Sequence, residues 1–308
     1  MDDLDFSKSA PAPGAAAAAA AAAERSSAQS VAQSSFYDPA IALAFFKSAG
    51  TAEKKAAGKP IFVANEKSGG LFSKGDRMYL LLEGEVGLMI NNKFFGIVKK
   101  GEIFGELAVI AGLPRSATAI AKIECIVLSL DEKQFHAALG KAPDFALMLM
   151  GIMVNRLRQS IARLGAGASA AGGPADRSAV FDKKLLAELA KQLSDRPPMA
   201  FPAGKVIVAA GTVGVSMYVV LEGRVAISVN DRVVERIPPG GAFGELALVD
   251  RSARAATATA ETDCRLLAIG RNEFLALVKA KPLFGASLLK SIAERMQSLA
   301  AQVAKIQG

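Results

Sequence analysis

Short apolar runs, broken by Gly, Asn and Pro, fill most of this chain, and they recur. Met78–Leu82 and Met217–Leu221 are apolar runs that each stop at a Glu-Gly pair. A second run follows, Val86–Ile90 in one place and Val225–Val229 in the other, the latter alternating as a half-buried strand does. Asn91-Asn92 and Asn230-Asp231 come next, residue types that tolerate the left-handed backbone of tight hairpins. Further turns are marked by Lys99-Lys100-Gly101 and Pro238-Pro239-Gly240, and further strands by Cys125–Leu130 and Cys264–Ile269. Short strands at regular intervals predict a barrel or sandwich.

Helical patterns flank the strands. One helix is predicted from about Asp38, carrying Ile41, Leu43, Phe45 and Phe46, and another over Phe181–Leu193. Asp131 and Asn272 are the expected N-caps of helices that follow the last strand of each unit. Long helices close the units, at about Asp144–Leu164 and Leu283–Ile306. In the last one Leu289, Ile292, Met296, Leu299, Val303 and Ile306 are spaced 3, 4, 3, 4, 3, an a/d seam. The earlier long helix has Met150, Met153, Leu157 and Leu164 on the matching stripe, interrupted by Ser160. This seam can lie on its own barrel, pair with the first unit's helix, or form a homodimer through the C-terminal helix.

Residues 78–121 and 217–260 align without a gap at 18 identities in 44 positions, so the chain contains an internal duplication. The expected organisation is an Ala-rich low-complexity tail over 1–35, a first domain over 36–164, a linker over 165–178 and a second domain over 179–308. The first copy carries about seven extra residues near Glu66–Ser73. With 308 residues, 51% of them hydrophobic, each half can build a core. No apolar run approaches the ~20 residues needed to span a bilayer, and the acidic N-terminus MDDLDFSK does not read as an export signal. A cytoplasmic protein is expected. Two cysteines and one histidine, His136, leave no room for a metal cluster, and no metal or cofactor is assigned. Cys125 and Cys264 hold equivalent places and read as small buried strand residues; His136 reads as an exposed helix residue. The net charge of +8 divides into −2 on the tail and +10 on the body. The basic residues are scattered and Trp is absent, so nucleic-acid binding is not expected.

The densest repeat is Phe104–Thr118, FGELAVIAGLPRSAT, which returns as Phe243–Thr257, FGELALVDRSARAAT. Gly105 and Gly244 let backbone approach a ligand. Glu-Leu-Ala after the Gly suits a one-turn helix whose free N–H groups can face an anion. Arg115 and Arg254 offer a fixed cationic fork for two phosphate oxygens. Glu106 and Glu245, when ionised, accept from hydroxyl donors such as a ribose. The competing reading is a structural Glu–Arg pair bracing a loop. No catalytic residue is assigned.

FGELA followed by PRSAT resembles the phosphate-binding cassette of cyclic nucleotide-binding domains, over roughly residues 55–164 and 195–306. The resemblance implies two tandem β-roll, jelly-roll-like domains with flanking helices, mainly β within an α+β class. It implies Glu106 and Glu245 on the ribose 2′-hydroxyl and Arg115 and Arg254 on the cyclic phosphate. Backbone N–H groups of Leu107, Ala108, Ala117, Leu246, Ala247 and Ala256 would complete the cradle. Ser116 and Ala255 follow the arginines; in the family a hydroxyl there goes with guanine recognition or with contacts in bacterial activators, and Ala is common in cyclic AMP sites. The resemblance implies cyclic AMP as ligand, with cyclic GMP the other possibility, and a non-catalytic receptor that signals to an effector protein.

The second cassette has Arg251 and Ala253 where the first has Gly112 and Pro114. Loss of the Pro is expected to loosen the approach to Arg254, making the second site the more doubtful one. Neither terminal helix offers a Tyr or Trp as a lid, so an aliphatic lid or one from another subunit is expected. The last helix runs to Gly308, so no winged helix-turn-helix, kinase or channel domain is expected after it. A structural scaffold whose cassettes no longer sense a ligand is the second functional reading.

Overall fold

The computed structural model describes residues 34–66, 76–90, 93–115, 117–167, 175–249 and 253–307. The Ala-rich tail before Ser34, the Asn91-Asn92 turn, the extra residues after Glu66, Ser116 and Arg251 lie outside the described residues. So do the side chains of Ser160, Leu164, Leu299, Val303 and Ile306.

Helix α1 (Pro39–Ala49) begins on Asp38, whose side chain accepts from the N–H groups of Ala40 and Ile41. The first unit then runs β1 (Thr51–Lys55), β2 (Pro60–Phe62), β3 (Arg77–Glu83), β4 (Val86–Ile90), β5 (Lys93–Val98) and β6 (Ile103–Phe104). Helix α2 (Glu106–Ala111), β7 (Thr118–Ala121), β8 (Cys125–Asp131), α3 (Glu132–Leu139) and α4 (Pro143–Gly167) complete it. After β9 (Ala175–Asp176) and α5 (Lys183–Gln192) the order repeats. It runs β10 (Met199–Phe201), β11 (Val206–Val208), β12 (Ser216–Glu222), β13 (Val225–Val229), β14 (Arg232–Ile237) and β15 (Ala242–Phe243). A 3-10 turn (Glu245–Leu248), β16 (Thr257–Ala260), β17 (Cys264–Gly270), α6 (Arg271–Ala280) and α7 (Pro282–Gln307) follow.

Each unit folds into two sheets, ordered β1-β8-β3-β6 with β2-β7-β4-β5, and β10-β17-β12-β15 with β11-β16-β13-β14-β9, antiparallel throughout except where β9 joins β14. Non-consecutive neighbours mean that the chain crosses between sheets, the wrapping that makes a β-roll rather than a meander. The hairpin β13–β14 turns at Asn230 and Asp231, both at positive φ, as their residue types predict. Inside the first roll Phe62, Tyr79, Leu81, Val86 and Val127 form one core. Inside the second, Val220, Val225, Ile237, Phe243 and Leu266 form its counterpart. Cys125 and Cys264 are buried free thiols at equivalent strand starts. Burial raises the pKa of both.

The largest core lies between the rolls and joins both units. Phe45 stacks on Phe145 with ring centroids 3.6 Å apart, and Phe181 stacks on Phe284 at 5.2 Å. Helices α4 and α7 pack along each other, burying Met150, Met153 and Leu157 with Leu289, Ile292 and Met296. Each such side chain contributes about 1.5–3 kcal/mol on burial. The described half of the C-terminal seam is therefore closed within one chain, not by a second copy. Each long helix also crosses to the other unit, α7 packing on α2 and α4 on the 3-10 turn.

Three local expectations need correction. Asp131 caps α3 in a capping box with Gln134, but the place 139 residues on is Gly270, and Asn272 lies inside α6 without capping it. The segment 165–178 is not simply a linker. Residues 165–167 end α4, and Ala175–Asp176 adds a parallel strand to β14. His136 sits half-buried on α3 beside Phe135 rather than fully exposed. Among the described residues no single helix is long and apolar enough to cross a membrane.

Candidate functional site

In both cassettes a two-residue strand delivers the chain into a Gly held in the left-handed region, Gly105 at φ 71° and Gly244 at φ 80°. An added Cβ at either would stand 2.7 Å from the Nη1 of the cassette arginine. Only Gly meets both demands. The chain then turns at once, into a short helix at Glu106 or a 3-10 turn at Glu245.

The arginines are fixed by main-chain carbonyls. Arg115 donates from Nη1 to Gly105 O at 2.8 Å and from Nη2 to Arg77 O at 2.6 Å. Arg254 donates to Gly244 O at 2.9 Å and to Ser216 O at 2.7 Å. These partners correspond residue for residue across the duplication. Burial lowers the pKa of both guanidinium groups, yet an arginine remains charged at any physiological pH.

The surroundings of the two arginines differ. Arg115 is 5% exposed. Asp76 Oδ1 lies 3.8 Å from its Nε, and the Phe62 ring lies 4.3 Å from its guanidinium carbon. Phe62 is itself stacked against Tyr79 and meets Phe104 at a tilt. Arg254 is half-buried and makes no ion pair among the described residues. It lines a hollow of about 110 Å³ together with Glu245, Val208, Ala255 and Ala256.

Neither cassette glutamate pairs with its cassette arginine, so the loop-bracing reading is not what the structure shows. Glu106 lies 3.7 Å from Arg156 of α4, and both are buried. Burial lowers the Arg156 pKa, and the Glu106 charge opposes that. Glu245 is 3% exposed, and its Oε1 has no hydrogen-bond partner among the described residues. Arg295, the counterpart of Arg156, turns instead to Glu235 of β14, at 2.8 and 2.6 Å. Arg156, Arg295 and Glu235 were not anticipated from sequence. The signal was there for the arginines: they stand 139 residues apart on the two terminal helices, the interval of the cassettes.

Among the other expected residues, Ala108 and Ala117 are buried, Leu107 and Leu246 pack against the central core, and Ala256 packs against the second roll. The Ala247 N–H is not free for an anion, because it donates to Gly244 O at 3.1 Å. Where the first cassette has Pro114, the approach to Arg254 is paired through its main chain. Ala253 bridges to Val213, and the Arg254 N–H donates to Thr212 O at 2.8 Å. Val154 and Leu157 of α4 line the second hollow, reaching across from the first unit, with Arg295 beside them.

The model of the cyclic nucleotide-binding domain matches residues 57–141 and 198–281, together more than half of the chain. The chain belongs to the cyclic nucleotide-binding domain family. A cAMP-dependent protein kinase regulatory subunit of Eremothecium gossypii is 27% identical over 216 residues, covering 67% of this chain and 40% of that protein. The chain thus spans well under half the length of this relative. Among solved structures, the regulatory domain of Toxoplasma gondii PKA with cAMP is 22% identical, covering 89% of this chain and 96% of that one at a TM-score of 0.30. The Thermus thermophilus catabolite activator protein is 22% identical, covering 54% and 72% at a TM-score of 0.35. Both copies of the cyclic nucleotide-binding domain carry their family match over the cassette described above.

Proposed function

We propose that this protein is a non-catalytic cyclic nucleotide receptor, with domains over 36–164 and 179–308, that reports ligand binding to a partner protein. The observation that carries the reading is the second cassette. A carbonyl-anchored guanidinium and a buried carboxylate oxygen lacking a partner among the described residues line the same hollow. A buried unpaired carboxylate oxygen is costly unless a donor completes it, and a ribose hydroxyl would be such a donor. The cyclic phosphate would take the guanidinium. In the first cassette Gly105, Glu106, Arg115 and Ala117 hold the corresponding places.

Cyclic AMP is the ligand proposed. Ala255 lines the hollow without a hydroxyl, and the Eremothecium relative is named for cAMP dependence. Because α4 and α7 pack on both cassettes and on each other, tightening of a cassette would repack the pair and alter the surface a partner reads. Shifting such a helix equilibrium from 1:99 to 99:1 takes about 5.5 kcal/mol of differential binding. Titration calorimetry with cyclic AMP and cyclic GMP tests the reading. Saturable binding of cyclic AMP is expected, and neither heat nor thermal shift at millimolar concentration with either nucleotide would refute it.

A further inference from the structure

The two cassettes share their arginine geometry and differ in what already occupies it. Phe62 and Val208 hold the same place, pairing with Ala119 and Ala258 respectively in the register of their sheets. Asp76 and Val215 hold another shared place, preceding β3 and β12. In the first cassette the aromatic ring covers the Arg115 guanidinium, and the Asp76 carboxylate stands beside it. The Glu106 carboxylate is met by Arg156. In the second, a valine replaces the ring, a valine replaces the carboxylate, and Arg295 is drawn off to Glu235. Glu245 Oε1 is left buried without a hydrogen-bond partner among the described residues.

Resting on the receptor reading, we propose that the cassettes are unequal. The second loads with the cyclic nucleotide, and the first is held shut by Phe62, Asp76 and Arg156. A nucleotide entering the first cassette must expel the ring, oppose the Asp76 charge and release Glu106 from Arg156. In the second cassette it meets a cation with no ion pair and a carboxylate oxygen with no donor among the described residues. The order reverses the one that the Arg251 and Ala253 departures suggested.

The test is titration calorimetry of the full chain with cyclic AMP on the wild type, Val208→Phe, Arg254→Lys and the pair Phe62→Val/Asp76→Asn. Thermal melts without ligand establish that each variant is folded. One tight binding event per chain is expected in the wild type. Each second-cassette substitution should weaken it by about tenfold or more, since each removes space or directed charge. The Phe62→Val/Asp76→Asn pair should add a second event. Two events of equal affinity in the wild type, or a tight event surviving both second-cassette substitutions, would overturn the proposal while leaving the receptor reading intact. No binding of cyclic AMP by any variant, with none of cyclic GMP by the wild type in the titration above, would overturn both.

Discussion

Replacing Arg156 by Met leaves the Glu106 carboxylate buried without the cation that faces it. Glu106 is 9% exposed and Arg156 5%, and the charged groups approach to 3.7 Å. At an effective dielectric constant of about 20, two unit charges at this distance interact by about 4 kcal/mol. Breaking a buried pair from one side costs about 3–5 kcal/mol, because the remaining charge loses its compensation. Arg156→Met is therefore expected to lower stability by about 3 kcal/mol or more, and Glu106→Gln by a similar amount. The double substitution should cost far less than the sum, with a coupling energy of about 2 kcal/mol or more, since it removes both charges together. The cycle isolates this pair from the other contacts of either side chain. Urea unfolding followed by far-UV circular dichroism measures it, far-UV signal being preferable because the chain has no Trp. A coupling energy under about 0.5 kcal/mol, the scatter for independent sites, would refute the claim that α4 latches the first cassette through this pair.

Two further outcomes test the rolls themselves. Gly223 sits at φ 82° with the position of an added Cβ 2.1 Å from Asp263 O, whereas at Gly204, φ 80°, nothing lies within 4 Å. Gly204→Ala should therefore cost about 1–2 kcal/mol of left-handed strain and Gly223→Ala clearly more in the same urea assay; equal losses would refute the steric argument. Burial by itself raises the Glu53 carboxyl, but hydrogen bonds from Lys55 and Ser129 and the charges of Lys55 and Arg77 outweigh it and hold its pKa below the usual value. A depressed folded pKa contributes stability above the unfolded value, near 4.3, that is lost as pH falls through the folded one. Glu53→Gln should accordingly flatten the acid limb of stability against pH below about 4.3, and an unchanged slope would count against it.

The strands and turns were legible because each rests on local chemistry. Val225–Val229 alternates, and Asn230-Asp231 tolerates positive φ, so the hairpin between β13 and β14 follows from adjacent residues. The carbonyl-anchored arginines were legible through repetition, Gly and Arg keeping their spacing in both copies. What stayed hidden depends on contacts between distant elements. Phe62 reads in sequence as one more apolar strand residue, and nothing nearby says that its ring meets Arg115 53 positions later. Arg156 and Arg295 look alike on their helices, and their different partners are set by Glu235, which has Gly96 as its counterpart in the first copy. Nor does the sequence say that Val154 and Leu157 would reach the second hollow from the opposite unit. Asn272 failed as a cap because the strand before it ends at Gly270, so the helix has already begun at Arg271.

The pairing of α4 with α7 joins two homologous halves by a peptide chain where symmetric assemblies join two identical ones. In a dimer of identical subunits every amino-acid change is present on both sides of the twofold axis, so neither half can be altered alone. A fused pair is released from that rule. Phe62 can stand opposite a valine and Gly96 opposite Glu235 without either choice being imposed on its twin. The association is also insensitive to dilution, because the second half is always present at the concentration set by the tether. A molecule so built can give its halves separate duties and keep them together when it is scarce.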